Sequence, residues 1–157
     1  ACLEAVAVRG QAIKDAMLAA VDADTDAFDG LLAALRLPKG TDEEKAARDA
    51  ALVTATVAAI EVPLGVLERC PEVLELCLEI GAIGLQASLS DAGTGAQMAR
   101  AAAAGAYQNV CINLPGLTDR DAAAALLARA DVAWEQVREL HARAEQATLA
   151  KLRAAAG

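Results

Sequence analysis

Apolar residues recur along this chain at three- and four-residue steps, and no stretch alternates in the manner of a strand. The pattern is plainest near the end. Leu126, Ala130, Ala133, Val137, Leu140 and Ala144 share one stripe of a helix that Thr118-Asp119 caps and that runs almost to Gly157. At the other end, Leu3 to Leu37 holds only Gly10 and Gly30 as weak points. Pro38 stops this first helix, because the residue before a proline is pushed out of the α region. Thr41-Asp42-Glu43-Glu44 has the form of a capping box, and Glu44 and Arg48 are spaced to pair one turn apart. A second helix from about residue 42 meets Pro63, which is expected to kink or end it. Pro71 suits the first turn of a short third helix that closes near Gly81 and Gly84. The stretch "LQASLS" reads as a loop, with Ser90 or Asp91 capping a helix that Pro115-Gly116 ends. The expectation is an all-α, up-and-down bundle of about five helices, one domain over 1–157.

Composition narrows this picture. Hydrophobic residues make up 56% of the 157 residues but aromatic ones only 2%, so the core is built from Ala, Leu, Val and Ile in close-packed helices. A net charge of −8 argues against nucleic acid or an anionic membrane as partner, since both require basic patches. Cys2, Cys70, Cys77 and Cys111 form no C-x-x-C pair, and His141 is the single histidine, so no metal site is expected. Reduced, mostly buried thiols fit a cytoplasmic protein. No basic segment precedes an apolar run at the start, so no signal peptide is visible. The longest apolar runs, 50–60 and 101–107, fall short of the roughly 18–20 residues a membrane span requires.

Two stretches carry candidate chemistry. "SDAGTGAQM" invites a phosphate-loop reading, but a Ser/Leu loop precedes it and Met98 stands where a third glycine belongs, so the dinucleotide fingerprint fails. Its two early glycines leave the helix start bare, which lets a ligand or a second subunit come close. In "VDADTDAFDGLL", Asp22, Asp26 and Asp29 make a solvated acidic edge. Asp24 falls instead among Met17, Ala20, Val21, Ala27, Phe28 and Leu31. Burial there would disfavour its charge and raise its pKa towards the range useful for general acid–base work; the plain alternative is a buried carboxylate paired with an arginine or capping a helix. Further on, Met98, Ala102, Gly105, Asn109 and Asn113 line a face narrow enough for another helix backbone to approach at Gly105. The two amides either bond a neighbouring helix or each other, or edge a polar pocket for a heterocycle.

"DADTDAF", "RLPKGTDEEKAAR", "VPL" and "SDAGTGAQMARAAAAGAYQNVCINL", in this order over roughly Val21 to Ala130, resemble the cyclodeaminase/cyclohydrolase family of folate enzymes. The resemblance implies an α-helical homodimer with a folate cleft between helices and partly at the dimer interface. It implies ring closure of 5-formimino-tetrahydrofolate to 5,10-methenyl-tetrahydrofolate with loss of ammonia, or hydrolysis of that methenyl ring to 10-formyl-tetrahydrofolate. Either reaction proceeds through a tetrahedral carbon, with no metal or cofactor. The acid of the family's D-x-x-A-F motif, a candidate catalytic group, falls on Asp24. Ser90, Asp91 and Gly93 fall on its Ser-Asp-x-Gly motif, and Asn109 and Asn113 on N-V-x-I-N, as substrate-binding residues. Lys39 and Arg48 are placed to meet the glutamate tail, or else are solvated ion-pair partners. Family members open with a Pro-Gly-Gly-Gly-Ser-like segment and an apolar helix, and this chain starts after them. Either it is a piece of a longer product or it lacks part of the pocket, and a non-catalytic helical partner domain ranks second to the enzyme reading.

Overall fold

In a computed structural model, residues 2–156 are described, and among them every long element is a helix. Four α-helices follow one another: α1 (Leu3–Leu35), α2 (Asp42–Ile83), α3 (Leu89–Asn113) and α4 (Arg120–Ala156). Single 3-10 turns at Gln86–Ser88 and Leu114–Gly116 lead into and out of α3. The expected five helices are four, because α2 passes through both prolines without a break. Pro63 removes the N–H that would bond to the Ala59 carbonyl. The lost donor is replaced from α3, where Asn113 Nδ2 donates to Ala59 O at 3.2 Å. Leu64, Leu67, Cys70 and Leu74, all fully buried, hold the helix on course across both positions.

The chain ends of these helices follow local chemistry closely. Thr41 Oγ1 accepts the Glu44 N–H at 3.2 Å, while Glu44 Oε2 accepts from Thr41 N at 3.1 Å and Gly40 N at 2.7 Å, so the capping box is complete. Glu44 is thereby engaged, and Arg48 instead donates to the Leu35 carbonyl at 3.3 Å, closing the end of α1. Asp119 Oδ1 accepts from the N–H groups of Asp121 and Ala122 at 3.0 Å each and caps α4. At the end of α2, Lys151 Nζ donates to Gly81 O at 2.6 Å. The start of α3 departs from expectation. Its cap position is Ser88, which makes no side-chain cap bond, and Ser90 and Asp91 lie within the first turn.

The main core lies where α2, α3 and α4 meet. Ile60, Leu64 and Leu67 face Ala99, Ala103 and Val110 of α3, and Ala130 and Val137 of α4 complete it. Small side chains let three backbones close on the leucines. Outside this core, Arg129 ties α4 to α2 through Glu61 (2.8 Å) and Glu68 (3.0 Å). Helix α1 packs on α2 alone to any extent, through a minor cluster of Val6, Ile13 and Leu76 and an ion pair from Arg9 to Glu79 at 2.8 Å. By length and composition α2 would suffice to cross a membrane, which the run-length reading of the sequence missed. It packs against all three other helices, but only 28% of its most apolar window is buried, so packing within this chain accounts for only part of that hydropathy.

Candidate functional site

Because α1 leans on α2 and stands off from α3, a cleft of about 450 Å3 opens between them. Met17, Ala20 and Val21 form one wall, Ala101, Ala102 and Gly105 the other, and Val62, Pro63 and Val66 of α2 the floor. Three polar side chains enter this apolar trough: Asp24 and Thr25 from α1 and Asn109 from α3. Asp24 arrives there by helical periodicity. Ile13, Met17, Ala20, Asp24, Ala27, Leu31 and Ala34 recur at three- and four-residue steps, and every member but Asp24 is buried or half-buried. Its carboxylate interrupts the inward stripe at the level where the cleft opens. The expectation of burial is therefore corrected: Asp24 is exposed, because no side chain of α3 reaches across to cover it.

Asp24 has no ion-pair partner among the described residues, and no cation lines the cleft. The trough thus presents one negative charge, an amide and a hydroxyl against apolar walls. Thr25 Oγ1 is occupied locally, donating to Val21 O at 3.3 Å. The amides of α3 are paired with each other: Asn113 Nδ2 lies 3.0 Å from Asn109 O, 3.2 Å from Asn109 Oδ1 and 3.2 Å from Ala59 O, so its two N–H groups are shared among three acceptors. Asn113 supports the wall without lining it. A close helix approach at Gly105 is not observed, since a Cβ there would meet nothing within 4 Å. Gly105 leaves space, and the space is the cleft.

The other expected residues stand apart. Gly93 lies sixteen residues before Asn109 on α3, about 24 Å along the axis, and packs on Thr148 of α4. Ser90 and Asp91 are exposed a turn further away. Lys39 is exposed in the α1–α2 turn, and Arg48 is committed to Leu35 O. Sequence reasoning missed Val62, Pro63 and Val66, the floor of the trough. A proline inside an apolar helix was the available signal. Among the described residues no group of three His, Cys, Asp or Glu side chains converges on a point that could hold a metal. All four cysteines are free.

Sequence comparison relates the chain to known proteins. The formiminotransferase-cyclodeaminase family model matches residues 1–132. Methenyltetrahydrofolate cyclohydrolase of Methylorubrum extorquens is 36% identical over 118 residues, covering 75% of this chain and 57% of that protein. Formimidoyltransferase-cyclodeaminase of Gallus gallus is 38% identical over 105 residues, covering 67% of this chain and 19% of that protein. The same enzyme of Sus scrofa is 39% identical over 99 residues, 63% of this chain and 18% of that one. The chain thus spans little more than half of the first relative and about a fifth of the others.

Proposed function

The chain belongs to the formiminotransferase-cyclodeaminase family, and from that premise we propose a cytoplasmic folate one-carbon enzyme with its site in the α1–α3 cleft. The reaction is cyclodeamination of 5-formimino-tetrahydrofolate or hydrolysis of 5,10-methenyl-tetrahydrofolate, as the relatives' names suggest. One observation carries the reading: an unpaired carboxylate, Asp24, shares an apolar trough with the amide of Asn109. The methenyl compound is a cation delocalised over N5, carbon and N10. A trough with one negative charge and no cation complements it.

In hydrolysis, water adds to the methenyl carbon and the C–N5 bond breaks. One of the water's protons ends on N5 and the other leaves to solvent, with Asp24 as the carrier. In deamination, N10 adds to the protonated formimino carbon. The N10 proton then passes by way of Asp24 to the departing nitrogen, and ammonia leaves. Neither route calls on a metal or cofactor. The active form in this reading is a homodimer. Val21 and Phe28 on α1 and Met98 on α3 are 63%, 59% and 67% exposed beside the cleft, and a second copy would cover them.

The test is the absorbance of 5,10-methenyl-tetrahydrofolate with the purified chain and with Asp24→Asn, after sedimentation equilibrium has established the oligomer. Accelerated decay is expected, slowed about 10²–10⁴-fold in the variant, the usual contribution of a general acid–base group. Equal decay in both would remove Asp24 from the mechanism. No decay, and none of the methenyl product from 5-formimino-tetrahydrofolate, would remove the enzyme reading in favour of a partner domain.

A further inference from the structure

Pro63, Asn113 and Asn109 form a line of dependence that ends in the cleft. Proline at 63 leaves the Ala59 carbonyl without its helical donor. Asn113 Nδ2 lies 3.2 Å from that carbonyl, 3.0 Å from Asn109 O and 3.2 Å from Asn109 Oδ1. Two of these three acceptors are backbone oxygens, which cannot donate, so the nitrogen of Asn113 and not its oxygen must face them. This fixes Asn113, and Asn113 in turn fixes Asn109. With Oδ1 of Asn109 held towards Asn113, its own NH2 is turned the other way. Asn109 lines the cleft, and Gly105, one turn earlier, leaves the space in front of it open.

We propose that Asn113 is a positioning residue: anchored on the carbonyl that Pro63 orphans, it sets Asn109 to offer an N–H donor to an acceptor atom at the edge of the bound ligand. Asn113 therefore binds no substrate itself. The inference rests on the cleft being the folate site, where the ring carbonyl of the pterin is an acceptor of the required kind.

The test is a double-variant cycle on Pro63→Ala and Asn113→Ala, reading the thermal midpoint and the KM for 5,10-methenyl-tetrahydrofolate, with Pro63→Ala alone as reference. Asn113→Ala is expected to lose stability, since it strands the Ala59 carbonyl. Adding Pro63→Ala returns an N–H to that carbonyl and restores the midpoint. Asn109 still lacks its guide, so KM stays raised about tenfold, the worth of one hydrogen bond. A KM that recovers together with the midpoint would overturn the proposal and leave Asn113 a purely structural residue. A second readout needs no turnover: the side-chain amide resonances of 15N-labelled protein. The Asn109 pair is expected to shift in both Asn113→Ala backgrounds, and an unmoved pair would overturn the proposal. Should the pair shift while the wild-type chain converts no folate, the positioning role stands and the folate reading fails.

Discussion

The two ends of α3 carry similar small and polar residues and do opposite things. Near the start, a Cβ on Gly93 would meet Thr148 Cγ2 at 2.9 Å, and one on Gly95 would meet Cys77 Sγ at 3.3 Å. Near the end, a Cβ on Gly105 would meet nothing within 4 Å. The first glycines exist so that α4 and α2 can close; the last lies where α1 has not closed. A helical glycine thus signals a tight contact or an opening, and only the neighbouring helix decides which. Here α4 covers the start of α3, while α1, held mainly by α2, leaves its end free.

Leucine at each position breaks the comparison most sharply. Gly93→Leu drives a side chain into Thr148 and is expected to cost about 3 kcal/mol or more, at the upper end of overpacking penalties. At Gly105 a Cβ meets no neighbour and the helix sheds its glycine penalty, so the Gly105→Leu urea midpoint should hold or rise slightly while the filled cleft abolishes ligand binding. Urea unfolding and a folate titration on both variants read this directly. Equal destabilisation of the two would mean that the end of α3 is packed after all.

Alkaline pH probes the closed side alone. Burial among α2, α3 and α4 pushes the Cys70 thiol up to about 11 from 9.0. Tyr107, whose hydroxyl donates to Asp131 Oδ1 at 2.7 Å across the α3–α4 seam, is pushed up to about 12 from 10.0, chiefly by that hydrogen bond. Both groups hold their proton more tightly folded than unfolded. The stability they contribute is therefore complete below about pH 9 and is lost as pH rises through 11 and then 12. A loss on the order of 1–2 kcal/mol between pH 9 and 11 is expected for Cys70. Cys70→Ala should be less stable at neutral pH and flatter across that window; an unchanged slope would remove the thiol as its cause.

Much of the fold was legible because helix ends are written locally. The capping box at Thr41–Glu44, the Asp119 cap and the stop at Pro115-Gly116 each depend on neighbours within four residues. Pro63 was misread because its remedy, Asn113, lies fifty residues away in sequence. Asp24 was legible as the acid on an apolar stripe, but a stripe does not tell whether its own chain will cover it. The same gap separates Asn109 from Ser90, Asp91 and Gly93. All four sit on one helix among small residues, and only the stand-off of α1 puts the first in a cleft and leaves the others outside it.

The smallest effect is the most discriminating. Within a helix, glycine costs about 0.5–1 kcal/mol relative to alanine, chiefly through backbone entropy. Gly105 sits in the middle of α3 with open space before it, so Gly105→Ala should gain that amount, raising the urea midpoint. The added methyl group projects into the cleft beside Asn109, so folate affinity should fall as stability rises. That opposed movement identifies a glycine kept for the ligand's sake. A gain in stability with unchanged affinity would place the ligand elsewhere. No gain at all would mean that a second copy's helix already occupies the space over Gly105, making that end of α3 an interface like the one at Gly93.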